Sequence, residues 1–316
     1  MMAKLIGRRA FSLLLSLIAA SVAIFMVVEI LPGDPAEIMG GMNATPEQLD
    51  TLRHQYGLDV PAVPRYLQWI SGVVTGNLGI SYSYNVPVLQ LVQERLEVSV
   101  PLAAMAIAIS VLLAFPVGMY TALRNGGWSD ALLMGVMQVW VAVPSFLLGL
   151  IFIFGFSVSL RLFPGSGFPG WEEGAELGLK ALVLPAFVLA LPQSAILSRV
   201  LRSSLLDVLS EDYIRTARAK GLSRFKTVWS HAIRNSLPPV LTILGLQFSF
   251  LVGGAIVVES VFSLPGIGRL MIQALNQRDL VVVESVGLLL VAGVILVSFL
   301  VDFIMLAVDP RLRRPG

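Results

Sequence analysis

Cysteine is absent from the 316 residues, which excludes disulfides, thiolate metal sites and cysteine nucleophiles together. Histidine is nearly absent. His54 and His231 lie far apart and in different kinds of segment, so a histidine-based metal or catalytic cluster is not supported. Charge is also scarce: 13% of residues are Asp, Glu, Lys or Arg, against about 25% in an ordinary soluble domain. No Gly-Lys dipeptide occurs, so the chain has no phosphate-binding loop of the G-x-x-x-x-G-K-[ST] kind and does not read as an ATP-hydrolysing protein. G-x-S-x-G and H-E-x-x-H are missing as well, leaving no hydrolase signature. The net charge of +2 gives no reason to expect a nucleic-acid partner.

What the chain has in abundance is apolar length. Hydrophobic residues make up 56% of it, and the mean hydropathy is +0.82. Lipid rather than water is therefore the main solvent. A span needs about 20 mostly apolar residues, and six segments qualify: 10–31, about 99–123, about 131–160, about 180–201, about 237–258 and about 281–308. The third is long enough to tilt or to include a turn. The first has a basic start in Lys4, Arg8 and Arg9, but its apolar run exceeds a signal-peptide core and "LPGDPAEI" offers no small-x-small cleavage site. It reads as a retained helix.

Positive charge orients the spans. With the N-terminus inside, inner segments hold 15 of the 22 Lys and Arg residues and outer segments hold 7, which predicts both termini in the cytoplasm. The division is then 1–9 cytoplasmic, 10–31 first span, 32–98 extracytoplasmic and helical, 99–308 a five-helix core containing a cytoplasmic loop at 203–236, and 309–316 cytoplasmic. In the long outer segment, "TPEQLDTLRHQYG" has Thr45 as cap, Pro46 at the first helical position, Gln48 three after the cap and Gly57 at the stop. "PRYLQWISGVV" places Leu67, Ile70 and Val74 on one face, and "NVPVLQLVQERLEV" leads helically into the second span. These helices either cap the bundle or contact a receptor or substrate.

The loop between the fourth and fifth spans gathers charge: 199–236 holds eight Lys and Arg residues. It divides at Gly221. "EDYIRTARAK" has acids at its start and bases at its end, as the helix dipole favours. Gly221 is a stop and Ser223 can cap "RFKTVWSHAIRN", in which Phe225, Val228, Trp229, Ala232 and Ile233 form an apolar stripe. Pro238 and Pro239 are expected to end that pattern. On the residues alone this helix–Gly–helix element is a topology signal, an anionic-lipid site or a docking element. Small residues beside the turn, Thr216, Ala217 and Ala219, favour close approach of another surface.

The loop resembles the coupling segment of ABC-importer permeases, whose pattern is Glu-Ala-Ala, three residues, Gly, then an apolar residue and Pro. The matching positions are Arg215, Thr216, Ala217, Gly221, Leu237 and Pro238, with Arg standing where the pattern has Glu. The wording "DYIRTARAKGL…HAIRNSLPPVLT" is similar to the dipeptide/oligopeptide/nickel permease family, where that Arg is usual. "LIGRR", "LPGDPA", "YGLD", "YLQWI…GNLGISYSYNVPV", "VPSFLLGL", "LPGIGRL", "NQRDLVVVES" and "DPRLR" extend the likeness, in order, along nearly the whole chain.

The resemblance implies an all-α polytopic membrane protein with six transmembrane helices and a type I ABC-importer permease fold, a B-type subunit in a prokaryotic inner membrane. Its implied partners are a second homologous permease subunit, two cytoplasmic ATP-binding subunits, an extracytoplasmic solute-binding protein and membrane lipid. ATP and Mg would be bound by the ATPases, with no cofactor in this chain. The docking residues it implies are Tyr213, Arg215, Thr216, Ala217, Lys220, Gly221, Leu222 and Phe225. The implied cargo is a di- or oligopeptide, with nickel or another small solute as the alternative. Polar groups proposed for the translocation pathway are Gln247, Ser249 and Gln193, each of which could equally be a helix–helix hydrogen-bond partner. An ion-coupled secondary transporter is the more remote reading. It would need ionisable groups deep in the membrane, whereas Glu29, Glu259, Glu284 and Asp302 fall near the ends of their spans.

Overall fold

The computed structural model describes residues 2–30, 34–41 and 44–308. The expectations for residues 31–33 and 309–316 lie outside them. In chain order the helices are α1 (Met2–Ile30), α2 (Pro35–Gly40), α3 (Pro46–Gln55), α4 (Ala62–Thr75), α5 (Val88–Leu123), α6 (Trp128–Ala142), α7 (Ser145–Phe152), α8 (Ala175–Ser210), α9 (Asp212–Ala219), α10 (Arg224–Thr227), α11 (Ile233–Val261), α12 (Ile267–Gln277) and α13 (Leu280–Val308). π-Helical turns extend α7 over Ile153–Ser159 and join α10 to α11 over Val228–Ala232. Among the described residues the single β-bridge pairs Ile80 with Pro87.

Among the described residues five helical stretches are long and apolar enough to cross a membrane, or six with a bent pair taken as one. The third expected span is not one straight helix. It is a pair, Trp128–Ala142 and Ser145–Ser159, bent by 104°. The cause is legible in "VPS". A residue before proline is pushed out of the α region, and Val143 sits extended at φ −82, ψ 125. The opposite happens at Pro238 and Pro239, where the expected stop does not occur and α11 continues through both to Val261. Each proline removes the amide that would bond the carbonyl four residues back, at Arg234 and Asn235. The helix is held beside that gap by packing on α8, where Ser204 donates to the Ser236 carbonyl, while the Ser236 hydroxyl donates to the Ile233 carbonyl.

The chain forms two compact units, one of residues 1–99 with 265–296 and the other of residues 100–264 with 297–316. In the first, Val28, Val88, Leu91, Leu270, Val282 and Val286 belong to one buried cluster. α1 packs on α4 through Phe25, which meets the Tyr66 ring edge-on at 5.4 Å and stacks on Trp69 at 6.3 Å. Arg65 pairs with Glu29 and lies over the Phe25 ring. Leu67 and Val74 face the other way and are more than half exposed, so the apolar face of α4 read from the sequence is an open one. α3 carries the expected capping box between Thr45 and Gln48. A turn at 81–86 is held by Asp279, which is fully buried and accepts bonds from the Ser81 hydroxyl at 2.5 Å and the Ser83 amide at 3.0 Å. Burial pushes the neighbouring Tyr82 phenol well above its ordinary pKa, with the charges of Glu284 and Asp279 adding to the effect and Arg65 opposing it.

In the second unit α8 is the central post. Its side chains are buried along most of its length. α5 approaches closely at Gly118, where a Cβ would stand 2.8 Å from the Ser198 carbonyl oxygen. α6 is fastened by a two-pronged ion pair. Arg202 Nε reaches Asp130 Oδ1 at 2.9 Å and Nη2 reaches Oδ2 at 2.7 Å, while Asp130 also accepts from the Gly126 amide. α11 packs on α8 through Ser204–Ser236 and through Gln247, whose side-chain amide donates to the Gln193 carbonyl at 2.9 Å.

Candidate functional site

The charged loop contracts once folded. Residues 203–210 belong to α8 and 228–236 continue into α11, so the element between the two long helices is 211–227. Its first half, α9, ends in a full Schellman motif. The Gly221 amide donates to the Arg218 carbonyl at 3.0 Å and the Leu222 amide to the Ala217 carbonyl at 3.3 Å, with Gly221 at φ +87. A left-handed residue at that position favours glycine because it has no Cβ to strain. Ser223 then caps the second half as expected, accepting from the Lys226 amide at 3.3 Å.

Both halves are rooted in the same core. Ile214 is fully buried in a cluster with Leu197, Leu201 and Leu205 of α8 and Ala232 and Val240 from the far side. Thr227 and Val228 are buried beside them. Asn235 on α11 closes the element by donating to the Tyr213 hydroxyl at 3.0 Å. The backbone path is therefore fixed by a turn motif, a cap, a cross-bond and one buried isoleucine, not by the charges. Among the described residues Arg215 pairs with Asp212 alone, at 3.4 Å and with both side chains well exposed, an arrangement worth little.

The opposite face is open. Tyr213, Arg215, Thr216, Lys220 and Gly221 are exposed, and Ala217 and Leu222 are half-buried. Seven of the eight sequence-derived docking residues therefore lie on one short helix and its turn. The eighth, Phe225, is in α10, but its side chain lies outside the described residues. The expected apolar stripe divides: Val228 and Ala232 are buried, whereas Trp229 is 54% exposed and stands on the open side. No metal-holding group of three or more His, Asp or Glu occurs among the described residues.

The three pathway residues do not lie together. Gln193 and Gln247 are buried at the α8–α11 contact, while Ser249 is exposed on α11. Of the span carboxylates, Glu29 is paired with Arg65, Glu259 and Glu284 are buried, and the Asp302 side chain lies outside the described residues. Sequence reading missed the Asp130–Arg202 pair, whose members are 72 residues apart, and the anchoring role of Ile214, which looks like any apolar residue in a charged helix.

Two family models cover the chain. Residues 114–314 match the binding-protein-dependent transport system inner membrane component, and residues 2–103 match the N-terminal part of such membrane components. The chain belongs to this family. This inner membrane component is 36% identical over 306 residues to a "probable peptide ABC transporter permease protein" of Sinorhizobium fredii, covering 97% of the chain and 98% of the relative. It is also 36% identical over 306 residues to the glutathione transport system permease protein of Escherichia coli strain K12, at 97% of each. Among solved structures, a subunit of the inward-facing MetNI methionine ABC transporter aligns with a TM-score of 0.58 at 19% identity, covering 70% of this chain and 97% of that one. That likeness carries the fold. It makes the all-α architecture, with its five or six spans, an ABC-importer permease fold.

Proposed function

We propose that the chain is a permease subunit of an ATP-driven, binding-protein-dependent importer for peptides, and that the element 211–227 is where a cytoplasmic ATPase subunit grips it. A second permease subunit would complete the pore, a second ATPase would serve it, and an extracytoplasmic binding protein would deliver the cargo. ATP and magnesium belong to the ATPases. The peptide assignment draws on relatives named for peptide and glutathione transport; glutathione is itself a tripeptide.

The observation that carries the docking reading is the two-faced build of the element. One face is locked into the α8–α11 core by Ile214, Val228 and Ala232. The other presents Tyr213, Arg215, Thr216, Lys220 and Gly221 to whatever lies outside. A flexible loop would absorb a displacement applied there. A capped, cross-bonded helix pair passes it to α8 and α11, the two helices that carry Gln193, Gln247 and Ser249. ATP-driven closure of the ATPases would thereby re-pack α8 against α11 and open the pore to one side and then the other. Ser249, exposed on α11, is the pathway candidate that can meet cargo directly, with Gln193 and Gln247 setting the helix contact behind it.

The test is Gly221→Leu. A Cβ at Gly221 meets nothing within 4 Å, so the strain is confined to the left-handed backbone, about 1–2 kcal/mol. The assembled importer should stay in the membrane and hydrolyse ATP without accumulating peptide. Normal peptide uptake by that variant would sink the docking reading. Sidedness is checked separately, because the chain has no cysteine of its own: a single cysteine at exposed Ser230 should react with an impermeant maleimide only after permeabilisation.

A further inference from the structure

The loop between the π-helical turn at Ser159 and the start of α8 is set rigidly without being packed over. The Gly167 amide donates to the Phe262 carbonyl at 2.8 Å, and the Leu162 amide to the Phe156 carbonyl at 2.9 Å. Trp171 meets the Phe168 ring edge-on at 5.2 Å and presses on Gly178, where a Cβ would stand 2.8 Å from the indole. The loop encloses one side of an open groove of about 670 Å³. Arg161, Lys180 and Glu173 line it, and none of the three has an ion pair among the described residues. Arg161 is held at φ +54, a left-handed conformation that costs a non-glycine residue about 1–2 kcal/mol. Strain of that kind is retained where the surroundings over-determine it, commonly at ligand-holding positions.

Around the charges the surface is apolar. Leu160 is 59% exposed, Leu162 52% and Leu177 49%. The groove lies between the end of the bent apolar pair and the start of the membrane-crossing helix α8, the depth at which basic and aromatic residues meet lipid headgroups. We infer that this groove holds the headgroup of a phospholipid carrying a phosphate and a primary ammonium, with Arg161 and Lys180 on the phosphate, Glu173 on the ammonium, and the acyl chains along the exposed leucines. Cations for the phosphate and a carboxylate for the ammonium match that headgroup in sign at both of its ends. A glycerol headgroup leaves Glu173 unpaired, and a choline headgroup has no N–H to donate to it. The exposed leucines set lipid above a soluble acidic or zwitterionic partner, for which they would be an unfavourable border. The inference does not depend on which face of the membrane the groove occupies, nor on the transport reading above.

Native mass spectrometry of the purified full chain, titrated with phosphatidylethanolamine, phosphatidylcholine and phosphatidylglycerol in mild detergent, reads the site directly. The chain should retain phosphatidylethanolamine best. Arg161→Asn suits the left-handed backbone, and with Lys180→Gln it should weaken retention of that lipid about 30-fold, roughly five-fold per cation. Glu173→Gln should leave phosphate binding intact and abolish the preference over phosphatidylcholine. Lys180→Gln alone, on a helix surface, should fall by the single-cation factor and guards against misfolding at Arg161. Equal retention of all three lipids by the unaltered chain overturns the inference. So does retention that survives loss of both cations.

Discussion

The Asp130–Arg202 pair allows the packing of the second unit to be tested quantitatively. Asp130 is 5% exposed and accepts three bonds, two from Arg202 and one from the Gly126 amide. Arg202 also donates to Asn125 Oδ1 at 2.7 Å, so its removal releases both the start of α6 and the turn before it. Truncating one partner of a buried pair costs about 3–5 kcal/mol, chiefly because the surviving charge is stranded. The Arg202 side chain is 24% exposed, which lets water reach the stranded carboxylate, so Arg202→Met should cost about 2–3 kcal/mol. Asp130→Asn keeps the shape but points an amide N–H₂ at one of its former donors, at a cost of about 1.5–3 kcal/mol. The double variant strands no charge, so its cost should fall short of the sum by about 1–2 kcal/mol. The assay is equilibrium unfolding of the full chain in mixed micelles under increasing dodecyl sulfate, followed by tryptophan fluorescence. Single variants within about 0.5 kcal/mol of the parent, or strict additivity in the double, would refute the claim that this pair fastens α6 to α8.

Three further outcomes follow from contacts already described. Gly118→Val should be destabilising by about 1–3 kcal/mol, since its Cβ meets the Ser198 carbonyl at 2.8 Å and Leu201 at 3.1 Å; an unchanged unfolding midpoint would contradict the close α5–α8 approach. Asp279→Ala deletes the acceptor for the Ser81 hydroxyl and the Ser83 amide, and limited proteolysis should then cut within 81–86 at a rate the parent does not show. Because burial raises the Tyr82 phenol pKa in the folded chain, the neutral phenol is the folded-state form. Its contribution is complete below the unfolded value of about 10 and is lost as pH rises above it. Tyr82→Phe should flatten that alkaline loss of stability; an identical alkaline limb in the variant would place Tyr82 in water.

Much of this architecture could be read before folding because its signals are local. Apolar runs gave the spans, and a Thr-Pro-x-Gln start gave the α3 cap. Gly221 followed by Ser223 gave the turn between α9 and α10. Where proline was concerned, the same local rules misled in both directions. At Pro144 the preceding residue did leave the helix, bending a span that composition alone made continuous. At Pro238 and Pro239 the helix survived, packed against α8, where Ser204, 32 residues earlier in the chain, donates to the Ser236 carbonyl. Asp130, Asp279 and Ile214 were illegible for the same reason. Each acts on a partner brought near only by the fold, and nothing in its own neighbourhood of sequence announces it.

The unbroken helical run from Arg224 to Val261 has one further consequence. Its buried contacts recur at Val228, Ala232, Val240, Gln247, Leu251 and Val258, so it is held along its length and not at one pivot. At about 1.5 Å per residue the rod is about 55 Å long. A push at the charged turn is therefore carried as a slide or roll of the whole rod against its neighbours, reaching Val261 at about the size it had at Arg224.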